Sequence, residues 1–236
     1  MRLNLTVDTR DLDKMARALA EYKGTTRKNL SGAMNLAAKD ARQHLVNVTP
    51  RYVNKPTRWT LNSTFVKQSN SQNLEVVLGF KDYSVKGTPA ADYLEPMIKG
   101  GGRKRKGGEN LLSARGLGGQ RYMVPTGVTP FKFNQYGNIT SGNYTKLYSG
   151  LRAMRDQGST SNRAAGTKSR FFVGEPNGLP LGIYARVGRK QQGFHTIFYL
   201  TRQPKYEARF PVSDILQQEF NRKFPGIFSR LVFKSK

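Results

Sequence analysis

A Gly-rich, strongly basic stretch from Lys99 to about Arg170 divides the chain and separates two flanks that carry ordinary globular patterning. It opens with Gly100, Gly101, Gly102, Arg103, Lys104, Arg105, Lys106, Gly107 and Gly108, so four adjacent cations stand on backbone with little intrinsic preference for helix or strand. Over residues 99–170, fourteen Lys or Arg face only Glu109 and Asp156, a local excess of +12 within a whole-chain net charge of +25. The hydrophobic fraction is 37%, against about 45–50% in average domains, so part of the chain is expected to stand outside any core.

A surplus of this size weakens the compact state through self-repulsion, which implies a counter-charge in the working state. Nucleic acid is the commonest such partner and an acidic protein surface the second. The absence of cysteine excludes disulfides, thiolate nucleophiles and thiolate metal sites. Met1 to Arg10 lacks the apolar centre of a signal peptide, and no stretch approaches the ~20 apolar residues of a membrane span. The chain reads as soluble, or as part of a soluble assembly, with no membrane partner.

Alternation at Leu3, Leu5 and Val7 predicts a short first strand. A helix is expected to follow, burying Leu12, Met15 and Leu19 and ending near Gly24. A second helix, begun at Thr25 or Thr26, spaces Leu30, Met34, Ala37, Ala41, Leu45 and Val48 by three and four and should stop at Pro50. Residues 63–69 and 74–80 read as a hairpin, and Ala90 to Ile98 as a short helix leading into the basic stretch. Within that stretch Asn143 to Met154 has helical spacing, while 156–169 reads as a tether. Strands are expected at 171–173, 181–187 and 196–201, with a polar turn at 188–195. A last helix carries Val212, Ile215, Leu216, Phe220 and Phe224, broken at Pro225 before a short continuation. The order describes an α+β fold: an antiparallel sheet packed by an N-terminal helix pair and a C-terminal helix, with a long basic Gly-rich insertion. Residues 1–98 and 170–236 would form the body and 99–169 the insertion.

Enzyme signals are weak. His44 falls within the second helix and His195 in a turn before a strand, neither with a second ligand or relay partner at suitable spacing. Asp92 and Glu95 sit three apart on a short helix, where a solvated carboxylate pair outweighs a metal site or acid–base couple. Gly182, Ile183 and Tyr184 match half of a nuclease signature whose second half is missing at Ile197, Phe198, Tyr199 and Leu200. Gly116, Gly118 and Gly119 lack the Gly-Lys-Ser/Thr ending of a phosphate loop. No catalytic residue, metal or cofactor is expected.

The basic stretch is the stronger signal. Arg103, Lys104, Arg105 and Lys106, followed by Arg115, Arg121 and Lys132, interleave with Tyr122, Phe131, Phe133 and Tyr136. That mixture suits phosphate contacts combined with stacking on bases or packing on a neighbour. Without a recognition helix or zinc module, DNA contact would be directed at the backbone and independent of sequence. Exchanging Arg103, Lys104, Arg105 and Lys106 for Ser is expected to leave the body folded, since surface changes usually cost within ~0.5 kcal/mol each.

Val124, Pro125, Thr126 and Gly127, then Tyr136, Gly137, Asn138 and Ile139, then Lys146, Leu147, Tyr148, Ser149, Gly150 and Leu151 resemble a segment of tail-completion proteins of tailed bacteriophages, the minor tail protein Z type. The C-terminal half is similar too, with a Gly182–Val187 strand ending in Gly188 and Arg189, then Leu200, Gln203, Pro204, Tyr206, Arg209, Phe210 and Pro211 leading into a helix. The likeness covers most of the chain as an order of elements, carried by short motifs. The resemblance implies a non-enzymatic virion component at the head–tail junction, made in the host bacterial cytoplasm, that joins tail to head. It also implies a homo-oligomeric ring of six copies, or twelve on a portal-type adaptor, against portal, adaptor or tail-tube proteins and around genome DNA. In that setting Tyr136, Gly137, Asn138, Lys146, Pro204, Arg209 and Pro211 are structural family positions. The Lys/Arg block and the 156–169 segment depart from the family pattern. Composition by itself equally fits a stand-alone, sequence-independent nucleic-acid-binding protein.

Overall fold

The computed structural model describes residues 5–6, 25–85, 87–126, 131, 133–154, 170–187 and 193–233. The helix expected over residues 12–24, the 156–169 segment and Lys132 lie outside the described residues. Two units compose the chain, one formed by Met1–Gly100 with Glu207–Lys236 and the other by Gly101–Tyr206. Both mix helices with antiparallel sheet, so the fold is α+β.

The first unit is built on two long helices, α1 (Thr25–Tyr52) and α6 (Val212–Phe233). Every apolar position expected on α1, from Leu30 to Val48, is buried. Ala33, Ala37, Ala38 and Ala41 give that face little bulk, which lets large α6 side chains seat against it. Phe220, Phe224 and Phe228 recur every fourth residue and stack along α6 with centroids 5.6 Å apart at each step. A three-stranded sheet completes the core, with β3 (Val77–Phe80) between β1 (Leu5–Thr6) and β2 (Thr64–Lys67), both antiparallel to it. The apolar face of α3 (Ala90–Lys99) closes it, and a short helix α2 (Arg58–Asn62) meets α3 where the Tyr93 hydroxyl donates to Thr60 at 2.9 Å.

Two proline expectations are corrected. Pro50 lies inside α1, which runs on to Tyr52, and Pro225 lies inside a continuous α6. Proline removes one backbone donor and crowds the preceding turn, but buried anchors on both sides outweigh that local cost. Val48 and Thr49 hold the end of α1, and Phe224, Ile227 and Phe228 hold α6 through its proline.

The second unit centres on a four-stranded antiparallel sheet in the order β5 (Tyr122–Pro125), β8 (Gly193–Thr201), β7 (Gly182–Val187), β6 (Phe171–Gly174). Strands β6 to β8 were expected in the body with residues 1–98. They pair instead with a strand from the basic stretch, Met123 opposite Leu200 and Val124 opposite Tyr199, and so join 101–154 in one core. The basic stretch is thus half of a folded unit. Gly101 and Gly102, expected to resist regular structure, form β4 (Gly101–Gly102) against β9 (Lys205–Tyr206), where a side chain on Gly102 would collide with Gln203. Gly107 and Gly108 open α4 (Gly107–Ala114), and α5 (Ser141–Gly150) covers the sheet through the fully buried Leu147. His195, expected in a turn, lies within β8 opposite Ala185, because the strand starts at Gly193.

Candidate functional site

The basic stretch is organised around its one described acid. Glu109 occupies the third position of α4, three residues after Lys106, and its carboxylate reaches back to accept the Lys106 amide at 2.7 Å. The same group accepts the Met123 amide at 2.8 Å and two guanidinium bonds from Arg103, at 2.5 and 2.8 Å. Four donors therefore saturate a carboxylate whose side chain is only 1% exposed, facing an arginine that is 13% exposed. Burial pushes the Glu109 carboxyl up, but Arg103 and the two amides outweigh it and hold the group below the usual carboxylate range. Arg103 also covers the Tyr122 ring at 4.9 Å and donates to the Met123 carbonyl.

Neighbouring cations are similarly tied to the unit. Arg105 donates to the Glu109 carbonyl at 2.8 Å, and Arg115 to the Met154 carbonyl at 2.8 Å. Lys104, Arg121 and Lys146 present exposed side chains. Of the seven cations proposed to contact DNA, Arg103, Arg105 and Arg115 bind the protein itself, and Lys104 and Arg121 are exposed. Lys106 lines a cleft, and Lys132 lies outside the described residues. Exchanging all four cations from Arg103 to Lys106 is therefore not a surface change, since it strips Glu109 of its counter-ion.

That cleft, about 470 Å³, opens beside Glu109. Tyr144, Tyr148, Phe198 and Phe133 give it aromatic walls, and the Gly137–Ile139 turn forms another side. Tyr144 stacks on Tyr148 at 5.9 Å and on Phe198 at 6.0 Å. A side chain on Gly108 would begin 1.8 Å from the Tyr148 hydroxyl, so only glycine lets that ring close over the first turn of α4. Burial raises both tyrosine phenols, Tyr148 the more strongly, with Glu109 adding to each. Lys106 stands at the same cleft; desolvation and then the Arg103 charge push its ammonium down, against the pull of Glu109.

The Tyr136–Asn138 motif is a tight turn whose organiser the motif omits. The Asn134 side chain accepts from the Tyr136 and Asn138 amides, each at 3.0 Å, while Gly137 supplies the positive φ of 74°. Gly137 and Asn138 are thereby brought to the cleft, whereas Lys146 is exposed on α5. Pro204 belongs to the second unit. Arg209 and Pro211 belong to the first, where the Arg209 amide donates to Met97 at 2.8 Å just before α6.

Glu109 and Asn134 are the residues that motif reading missed. Both had a local signal: an acid three residues after a helix start, and an Asn three residues before a glycine. Glu95 pairs with Lys99 at 3.2 Å. Among the described residues no group of three or more His, Asp or Glu could hold a metal, and no helix is long and apolar enough to cross a membrane. Comparison of the chain with protein-family models, curated proteins and solved structures finds no match.

Proposed function

We propose that this chain is a non-enzymatic structural subunit of a tailed-phage virion, placed at the head–tail junction. It would assemble as a ring against portal, adaptor or tail-tube proteins and hold genome DNA by its backbone. One observation carries the DNA part. The chain has a net charge of +25, and the internal pairs Arg103–Glu109, Arg222–Glu219 and Lys99–Glu95 each use a positive charge that already has its own acid. The surplus is therefore left for a partner. Arg121 and Lys146 present part of it on exposed side chains of one folded unit. The neck setting is supported by the likeness of the Val124–Leu151 and Gly182–Pro211 segments to tail-completion proteins. In a ring, copies multiply this charge into a collar that grips any sequence and still lets DNA slide.

Two measurements test the reading together. Native mass spectrometry and electron microscopy of the chain mixed with tail tubes should show a closed ring on the tube end. Duplex binding should weaken steeply with salt, and Arg121→Ser with Lys146→Ser should lower the slope of log K against log salt by about 2, with melting unchanged. A chain that stays monomeric, ignores tails and binds short duplexes tightly would replace the ring with a stand-alone nucleic-acid-binding protein. Loss of neither slope nor affinity in the double variant would remove DNA from the proposal.

A further inference from the structure

The cleft of the second unit joins three features that its structural role does not require. The first is aromatic surface: Phe133 at the rim is 44% exposed, and the stacked pair Tyr144 and Tyr148 lines the wall. The second is charge. Glu109 is neutralised by Arg103 and saturated by four donors, so Lys106 gives the cleft a net positive charge. The third is Asn138, whose amide is able to donate and accept at a base edge.

From this combination we infer that the cleft binds one unpaired nucleotide of a DNA strand, with the base against the aromatic wall and its phosphate at Lys106. The volume of about 470 Å³ admits a nucleotide, whereas the bases of a duplex are already stacked and offer the rings no free face. An acidic peptide would satisfy Lys106 but would leave the ring surface and the Asn138 amide without a matching planar partner. This inference rests on the proposed DNA contact and narrows it: exposed cations hold duplex backbone, and the cleft takes a frayed or protruding end.

The test compares a blunt 20-base-pair duplex with the same duplex carrying a four-nucleotide single-stranded overhang, by fluorescence anisotropy at fixed salt. The full chain should bind the overhang substrate several-fold more tightly. Phe133→Ala should abolish that preference while blunt-duplex affinity stays within twofold, and Lys106→Met should abolish it as read from the ratio of the two affinities. A base-on-ring contact is worth about 1–3 kcal/mol, so the preference lost should be at least fivefold. Tyr144→Phe, which keeps the ring, should retain it and controls for folding. Equal affinity for the two substrates, or a preference that survives both variants, overturns the inference and leaves the ring proposal standing. Failure to bind either substrate overturns the inference together with the DNA contact it rests on.

Discussion

Among the described residues each unit buries one carboxylate against one arginine, and the two pairs are built differently. In the second unit, Arg103 and Glu109 are both withdrawn from water, at 13% and 1% side-chain exposure, and two backbone amides complete the carboxylate. In the first unit, Glu219 is 8% exposed but its partner Arg222, three residues on along α6, is 64% exposed. Both pairs reach 2.5 Å, so contact distance says nothing about what each does. The Arg103–Glu109 pair ties three separate pieces of chain together: the segment before α4, the helix itself and β5. The Arg222–Glu219 pair ties one helix to itself. The first unit does not need such a tie, because α1 and α6 already close over twenty buried core residues.

Removing one partner of the inner pair breaks this comparison most directly. Arg103→Ala leaves Glu109 charged and buried, which costs about 3–5 kcal/mol in comparable sites. Hydrogen exchange followed by mass spectrometry should show β5 and β8 losing protection by two or more orders of magnitude, while α1 keeps its own. Unchanged exchange in β5 would mean that the strand is held by its ladder with β8 alone. Glu109→Gln should do less harm than Arg103→Ala, since the Arg103 charge it leaves is 13% exposed against 1% for Glu109 and the new amide oxygen keeps part of the hydrogen bonding.

A smaller effect is expected at Gly108. Alanine there drives the Tyr148 ring out of its seat over α4, and overpacking of this kind costs typically about 1–3 kcal/mol. Gly108→Ala combined with Tyr148→Ala should then be less harmful than the sum of the two single changes, measured by chemical denaturation. Strict additivity would show that the tyrosine does not rest on the glycine.

The first unit was largely legible in sequence, because apolar residues at helical and strand periods decide its core without help. Leu30 through Val48, the 64–80 hairpin and the 90–99 helix all follow from spacing. The second unit was not, because its core is assembled from distant pieces whose local composition argues against structure. Nothing near Gly101 shows that it pairs with Tyr206, and nothing near Tyr122 shows that it lies opposite Thr201. The basic run looked like solvated charge since the neutralising role of Glu109 depends on a fold that local patterns do not encode. For the same reason three of the arginines read as DNA ligands turned inward, while the cleft beside them went unseen. Its residues, from Lys106 to Phe198, meet only once β5 has paired with β8.

Acid sharpens what remains of the comparison, because both carboxyls sit below their ordinary range for different leading reasons. Glu219 is lowered first by its bond from Arg222, and Glu109 by Arg103 and two amides against an opposing push from burial. A depressed carboxyl stabilises the fold fully above its unfolded value, about 4.3, and that contribution disappears as pH falls through the lower folded value. Both units should therefore weaken below about pH 4, and Glu109→Gln should flatten the acid limb for β5 and β8 while leaving that of α1 and α6 in place. Glu219→Gln should do the reverse, and more weakly, since water can solvate its exposed partner. Smallest of all is Arg222→Ala at neutral pH, which removes an exposed end of a pair within one helix and should leave the melting temperature unresolved from that of the unaltered chain. A clear destabilisation there would mean that burial of Glu219 alone, without a buried partner, is enough to make an ion pair structural, and the contrast between the two units would collapse to a single rule.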